Sequence, residues 1–443
     1  MLNSGLKSYS VFGRYQAILA GLGYFLDGYN ITVIAVFTYI LATYHIFPYN
    51  DLQIGLVSGS ALLGAGIGSS VFGHYSDRFG RKRLFLAYLT PFVIFPVILG
   101  FTQNMAEVII LRALLGVSIG ADYAIGPVYS MEMSAENKRG SENGFIWAFW
   151  SLGASAAFAI GFVSLAILGT VAWRISFAVV AIPAFILIIM KLRMPESTNW
   201  LKSETINGNR PKGNAESGIV FHSNSHAISE LFRGELGKRT ALVWIPWILL
   251  DVGSYGFGLY GPIIIGSLGF SGSSSFLLTS ILYMVAFMCA IASTQWTDRF
   301  GRKITQAFGF GFMGLGLGFL VLTSLSVGII GIILSFSGLA LWYGMENMGP
   351  ANTLKIYAIE MSPTRLRSTS MGAATSVTRF VSFLSAFEFP FLLEYIGERG
   401  FFIFLIIFMV AALLFTLGVV PETRDLTLDE ISSSRYSKGK LSR

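Results

Sequence analysis

The sequence predicts an all-α integral membrane protein of twelve transmembrane helices in two six-helix bundles. Three observations predict it. Hydrophobic residues make up 53% of the 443 positions and charged residues only 12%, against about a quarter charged in soluble chains. Four stretches, 28–50, 143–173, 256–297 and 304–345, contain no Asp, Glu, Lys or Arg, and each exceeds the roughly 20 apolar residues that a bilayer crossing needs. The hexapeptide Asp77-Arg78-Phe79-Gly80-Arg81-Lys82 returns unchanged as Asp298-Arg299-Phe300-Gly301-Arg302-Lys303, 221 positions later (298 less 77). A charged knot repeated between apolar stretches marks two copies of one membrane unit.

The spans follow in order near 15–42, 53–75, 84–101, 107–131, 141–165, 172–192, 241–266, 273–296, 304–324, 327–358, 369–393 and 399–420. Glycine, at 49 residues, enters many of them; in lipid, small residues let helices approach closely. The start of the chain lacks a short apolar region with a small-residue cleavage site, so the first span is expected to be retained. Residues 1–192 form a first bundle, 193–239 a polar cytoplasmic linker with a short surface helix near 226–233, 240–421 a second bundle and 422–443 a basic tail. Lys and Arg gather at one set of ends: Arg78, Arg81, Lys82 and Arg83, then Lys138 and Arg139, then Arg299, Arg302 and Lys303, then Arg365 and Arg367. The opposite loops offer Arg174 and Arg399. By the positive-inside rule both termini are cytoplasmic, and the net charge of +7 is a topology signal rather than a nucleic-acid footprint.

The halves match beyond the hexapeptide. Tyr129-x2-Glu132-Met133-Ser134-x4-Arg139 closes span 4, and Tyr357-x2-Glu360-Met361-Ser362-x4-Arg367 closes span 10. Pro195-Glu196-Ser197 follows span 6 as Pro421-Glu422-Thr423 follows span 12, and Leu26-Asp27 is matched by Leu250-Asp251. With the hexapeptide, four pairs in one order amount to a duplication. Duplicated bundles in membranes face each other across a solute path.

Ionisable groups at mid-membrane cost roughly 2.5–3.5 kcal/mol each to insert, so they are functional candidates by default. Asp27, Arg112, Asp122, Asp251 and Arg379 stand near the centres of their spans. Asp27 and Asp251 hold equivalent places in the first helix of each half, where a carboxyl can carry a proton reversibly; a buried ion pair that fixes packing is the alternative. Arg112 and Asp122 share a helix face ten residues apart, about 15 Å along the axis. That is too far for direct pairing, so Arg112 is expected to partner Asp27 across spans 1 and 4. Arg379 offers a planar fork suited to phosphate or carboxylate, or a partner for Glu388. Lys355 lies toward the cytoplasmic end of span 10, where it can snorkel to the surface. Trp247 and Tyr255 flank Asp251 at i−4 and i+4 on one face. Asp77 can pair with Arg81 or sit at a neighbouring helix start, as a breakable latch on the cytoplasmic side.

Cys289, the single cysteine, excludes an intrachain disulfide and any CxxC site. His45 and His74 lack metal-ligand spacing, and no phosphate-cradling loop or nucleophile–base pair appears. No metal, cofactor or enzymatic activity is expected, and no ATP-driven pumping.

Gly73-x3-Asp77-Arg78-x-Gly80-Arg81-Lys82 resembles the signature loop of the major facilitator superfamily, and the resemblance extends over nearly the whole chain. Pro195-Glu196-Ser197, Pro421-Glu422-Thr423 and Trp173-Arg174 are similar to the sugar-porter-like branch. Other stretches resemble the phosphate:proton symporter group: Phe25-Leu26-Asp27-Gly28-Tyr29, Gly120-Ala121-Asp122-Tyr123, Trp247-x3-Asp251-x3-Tyr255, Glu346-Asn347-Met348-Gly349-Pro350 and Arg365-x-Arg367-Ser368-Thr369. The chain departs from that group at Asn30, in place of a second Asp, and at Trp150, in place of a Gln. It departs again at Ala351, with Asn352 one place on, and at Arg379, in place of a Lys. The helix-7 Gln pair of sugar porters is missing.

The resemblance implies alternating access by two six-helix bundles. It implies proton coupling through Asp27, Arg112, Asp122 and Asp251, and a solute site of Tyr123, Trp150, Trp247, Asp251, Tyr255, Asn347, Asn352 and Arg379. It further implies gating by Asp77, Arg78, Gly80, Arg81, Glu132 and Arg139 in the first half, and by Asp298, Arg299, Arg302, Glu360 and Arg367 in the second. The expected function is proton symport of a small anion, phosphate or an organic acid, by a monomer in the plasma membrane. A sugar or polyol symporter is the alternative. A non-transporting receptor would have no need of the buried charges.

Overall fold

A computed structural model describes residues 18–79, 81–133, 139–192, 227–267, 272–323, 328–362 and 367–424, together with 270 and 426. Its first helix, α1 (Ile18–Tyr44), breaks at Val33. α2 (Asp51–Phe79), α3 (Arg81–Leu99), α4 (Met105–Met133) and α5 (Arg139–Leu168) follow, and α6 runs as two pieces, Ala172–Ala178 and Ala181–Leu192. A single turn, Ala227–Glu230, precedes α7 (Gly234–Leu259), which Gly261–Ser267 continues past a break at Tyr260. α8 (Ser273–Phe300) and α9 (Arg302–Thr323) are continuous. α10 is Ile329–Met348 and Pro350–Glu360, interrupted at Gly349. The last run, Arg367–Val419, is divided by Gly397 at φ 67° into α11 (367–396) and α12 (398–419).

Among the described residues nine helices are long and apolar enough to cross a bilayer. Two of them, Gly144–Leu192 with 49 residues and Thr369–Val419 with 51, have the length of two crossings each. With the shorter apolar helix Leu84–Leu99 they match the twelve expected spans. The fold is the one expected, all helical. α7 starts earlier than expected, at Gly234, inside the segment read as linker.

Small residues set the closest helix contacts. Gly64 and Gly68 on α2 face Gly116 and Gly120 on α4. A Cβ on any of the four would overlap a backbone carbonyl of the other helix: Ala113, Val117, Ala61 and Ala65 in turn. The two helices therefore touch backbone to backbone, as small-xxx-small pairs allow in lipid. Gly28 and Gly153 bring α1 and α5 together in the same way. Gly116→Val should abolish recovery of folded protein, because the carbonyl it meets cannot move without its helix. Size-exclusion profiles in detergent test this; a monodisperse variant with wild-type melting would show that the helices can part by a side chain's width.

The two bundles meet along α2–α11 and α5–α8. Ser376 donates to the Gly66 carbonyl at 2.8 Å, and Ser155 to the Ser280 carbonyl at 2.9 Å. At the hexapeptide end, Gly73 lies against Gly372 and Gly144 against Thr294. At the opposite end, the Tyr260 hydroxyl donates to Ser58 at 2.9 Å and the Gly272 amide to the Tyr39 hydroxyl at 2.6 Å. The bundles therefore touch at both ends in this conformation.

Candidate functional site

A cavity of about 40 Å³ lies between the bundles. α5 lines it with Trp147 and Trp150, α7 with Trp247, Asp251, Ser254 and Tyr255, α10 with Glu346, Asn347 and Lys355, and α11 with Arg379. At about 10–15 Å³ per water it has room for roughly three waters, so a solute can enter only as the bundles part. Its wall is aromatic: Trp147 and Trp150 stack nearly parallel with centroids 6.1 Å apart, and Trp150 meets Tyr283 of the other bundle at 6.2 Å.

Two of the charges around the cavity are matched to each other. Asp251 and Arg379, brought together by α7 and α11, form an ion pair with Nη2 3.4 Å from Oδ2. Ser382, one turn beyond Thr378, donates to the same carboxylate oxygen at 2.8 Å. The other arm of Arg379 donates to the Tyr255 hydroxyl, and its guanidinium lies 5.3 Å from the centre of the Tyr123 ring across the interface. Trp150 donates to the Tyr123 hydroxyl at 2.8 Å. Tyr123 thus stands behind the cavity wall and aligns two of its members. Asn347 donates to the Tyr343 carbonyl at 3.0 Å and accepts from Ser151 of α5 at 2.9 Å.

The structure corrects several expectations here. Arg379 is not a free fork, nor is it paired with Glu388. Asn352 does not line the cavity; it donates to the Ser293 hydroxyl at 2.8 Å, between α8 and α10. Lys355 does not snorkel outward. It is 7% exposed, donates to the Ala351 carbonyl at 2.7 Å, and sets its ammonium 2.7 Å from the centre of the Trp147 ring, a cation–π contact. Glu346, quoted for its motif but not chosen as a site residue, borders the cavity as well.

A second polar cluster sits inside the first bundle. Asp27 is fully buried and neither of its oxygens has a hydrogen-bond donor. The Asp122 carboxylate lies against Gly23, one helical turn before Asp27 on α1. Asp122 accepts from the Tyr88 hydroxyl and lies 3.9 Å from the Lys191 ammonium. Lys191 is 2% exposed and was missed by sequence reasoning, because a lysine in the last turn of a span reads as an anchor. Arg112 does not pair with Asp27. It donates to the carbonyls of Asn30 and Ile31, at 2.5 and 3.4 Å, on the turn before the break in α1. Its role is to satisfy backbone at a point where lipid could not.

The second hexapeptide is tied into its own bundle. Arg302 reaches Asp298 at 3.8 Å and Glu360 of α10 at 3.2 Å. Gly301, at φ 93°, makes the turn. Glu422 accepts from the backbone amides of Arg302 and Lys303 at 2.9 and 3.0 Å, which places its carboxylate on the N-terminus of α9. Thr423 donates to Glu360 at 2.6 Å, and Arg424 to the Arg299 carbonyl at 2.6 Å. The Pro421-Glu422-Thr423 motif is therefore the clasp that joins the end of α12 to the α8–α9 turn and to α10. In the first half, Gly80 lies outside the described residues, as do the side chains of Asp77, Arg78, Arg81, Glu132 and Arg139; so does that of Arg367 in the second.

A family model described as "Sugar (and other) transporter" matches residues 16–434. The arabinose-proton symporter of Bacillus subtilis (strain 168) is 27% identical over 443 residues, covering 93% of this chain and 92% of that one. The glucose transporter GlcP of Staphylococcus epidermidis is 28% identical over 440 residues, covering 94% and 95%. Among solved structures, the proton:xylose symporter XylE bound to 6-bromo-6-deoxy-D-glucose superposes with a TM-score of 0.77 at 22% identity, over 95% of this chain and 98% of that one. At that identity the likeness is one of fold.

Proposed function

Because the chain belongs to the sugar (and other) transporter family, a group of transporters rather than enzymes, we propose that it is a plasma-membrane proton symporter of a small polyhydroxylated solute, a monosaccharide or polyol, with both termini cytoplasmic. The observation that carries the reading is the cavity itself. Its guanidinium, that of Arg379, is paired with Asp251, and the rest of the lining is largely an aromatic wall with hydrogen-bonding groups. Sugars stack their C–H faces on such rings, and their hydroxyls take the remaining polar contacts. Trp147 and Arg379 border the cavity, and each keeps a buried N–H without an acceptor among the described residues, Nε1 and Nε respectively. Solute oxygens can fill both as the site opens.

The relatives named above transport sugars, which moves the reading away from the phosphate or organic acid expected from sequence. That expectation rested on the motif resemblance to the phosphate:proton symporter group and on an Arg379 free to meet solute. One observation keeps an acidic solute as a second reading: Lys355 borders the cavity with no carboxylate within ion-pair distance among the described residues.

Uptake into proteoliposomes tests the proposal with labelled pentoses, hexoses, polyols, sugar acids and inorganic phosphate, with and without an inside-alkaline gradient. Gradient-driven accumulation of a neutral sugar or polyol is expected. Accumulation of phosphate alone would overturn the reading, and accumulation of a sugar acid alone would favour the second.

A further inference from the structure

We propose that Lys191 is a positioning residue of proton coupling: it is the fixed counter-charge of Asp122, so that the facing carboxyls of Asp27 and Asp122 exchange a single proton in a site separate from the solute cavity. The inference deepens the proton-coupled reading above and rests on it. It stands on three observations.

The first is the arrangement of acceptors. Asp27 is buried with both oxygens lacking a donor, and the Asp122 carboxylate packs on α1 at Gly23, one helical turn before Asp27. Two charged carboxylates would repel there; one shared proton supplies the missing donor. The second is Lys191. A lysine in the last turn of a span would ordinarily extend its stem to the surface. This one turns into the bundle, lies 4.4 Å from the centre of the Phe85 ring and stops 3.9 Å from Asp122. A carboxylate partner lowers the cost of a buried ammonium, and Asp122 lies in that position. The third is Arg112. It is engaged by the carbonyls of α1, which leaves Lys191 as the cation of the cluster. Two carboxyls and one lysine are neutral with one proton. The other groups that face the pair are Tyr24 from α1, Tyr88 from α3, Tyr123 from α4 and, farther off, Arg379 from α11.

The test is a charge cycle read without solute, by infrared spectroscopy of the purified protein. The protonated-carboxyl band is assigned by its loss in Asp27→Asn, and its pH midpoint is then followed in four proteins. In the wild type, Asp27 faces one negative and one positive neighbour. Lys191→Met leaves only the negative one, and the midpoint should rise by about one pH unit or more. Asp122→Asn leaves only the positive one, and the midpoint should fall. Asp122→Asn combined with Lys191→Met leaves neither, and the midpoint should return toward the wild type. Lys191→Arg should hold the wild-type midpoint. In proteoliposomes, Lys191→Met should lose gradient-driven accumulation yet keep exchange between equal pools, since the proton is released too late. An unchanged midpoint in Lys191→Met, with only a lower melting temperature, would make Lys191 a packing residue. Should that single variant fail to insert, equal midpoints in Asp122→Asn and the double variant would overturn the proposal equally well. Because the titration needs no solute, an error in the solute class leaves its outcome untouched.

Discussion

Asp27→Asn should abolish uphill uptake while leaving exchange between equal pools. The substitution keeps the shape of a fully buried side chain and removes the only carboxyl in α1. Each pH unit across the membrane is worth about 1.4 kcal/mol per proton. A two-unit gradient coupled one to one therefore supports about hundredfold accumulation, and loss of the carrier brings that ratio to unity. Exchange survives because it needs the bundles to rock with solute bound and needs no net proton transfer. Asn also supplies a donor to Asp122, so the variant should fold. The measurement is accumulation of labelled solute in proteoliposomes at a series of imposed gradients, beside counterflow at none. Wild-type accumulation in Asp27→Asn would place the proton elsewhere, with Asp251 as the next candidate.

The fold was legible because membrane burial leaves a coarse mark. Long stretches without charge can only be helices in lipid, and the repeated hexapeptide divides them into two sets of six. The breaks were harder to see. The interruption of α1 at Val33 has no Pro or Gly at the break, and its cost is met by Arg112 from another helix, a partner that no local pattern announces. The start of α7 at Gly234 was hidden because Glu235, Lys238 and Arg239 read as linker. The α2–α4 contact was half visible. Glycines four apart marked each helix, but nothing in the sequence said which helix each would meet.

The site was legible to the extent that charge in lipid is costly. Asp27, Asp122, Asp251 and Arg379 stood out on that ground, and all four lie buried between helices. Their partners did not stand out, because spacing along one helix fixes a face and not what lies across it. Arg112 was expected on Asp27 and sits on carbonyls; Arg379 was expected to meet solute and holds Asp251. Lys355 was expected to snorkel, and Lys191 was not singled out at all. Both are near the end of a span, where a flexible stem can reach water, and both turn inward to a carboxylate or an aromatic ring instead. Asn352 followed a motif match, and its side chain serves α8 rather than the cavity. The charge pairing also removes one argument for an anion: with Arg379 matched by Asp251, that guanidinium no longer demands one.

Arg379→Met should abolish transport and destabilise the protein, and the reason separates two roles of the pair. With the guanidinium gone, Asp251 keeps only the Ser382 hydroxyl. Removing one partner of a buried ion pair costs about 3–5 kcal/mol, because the other charge is left uncompensated. Lower melting in detergent is therefore expected whatever the residue does for solute. The double variant, Arg379→Met with Asp251→Asn, removes the stranded charge and should recover most of that stability. It should not recover transport, since Tyr255 loses its partner, Tyr123 loses the guanidinium over its ring, and the cavity loses two polar walls. Melting curves beside counterflow, which needs no proton gradient, read the two effects apart. If the double variant regains both melting and counterflow, the Asp251–Arg379 pair is only a fastening between α7 and α11, and the solute site must be sought among Trp150, Trp247 and Asn347 alone.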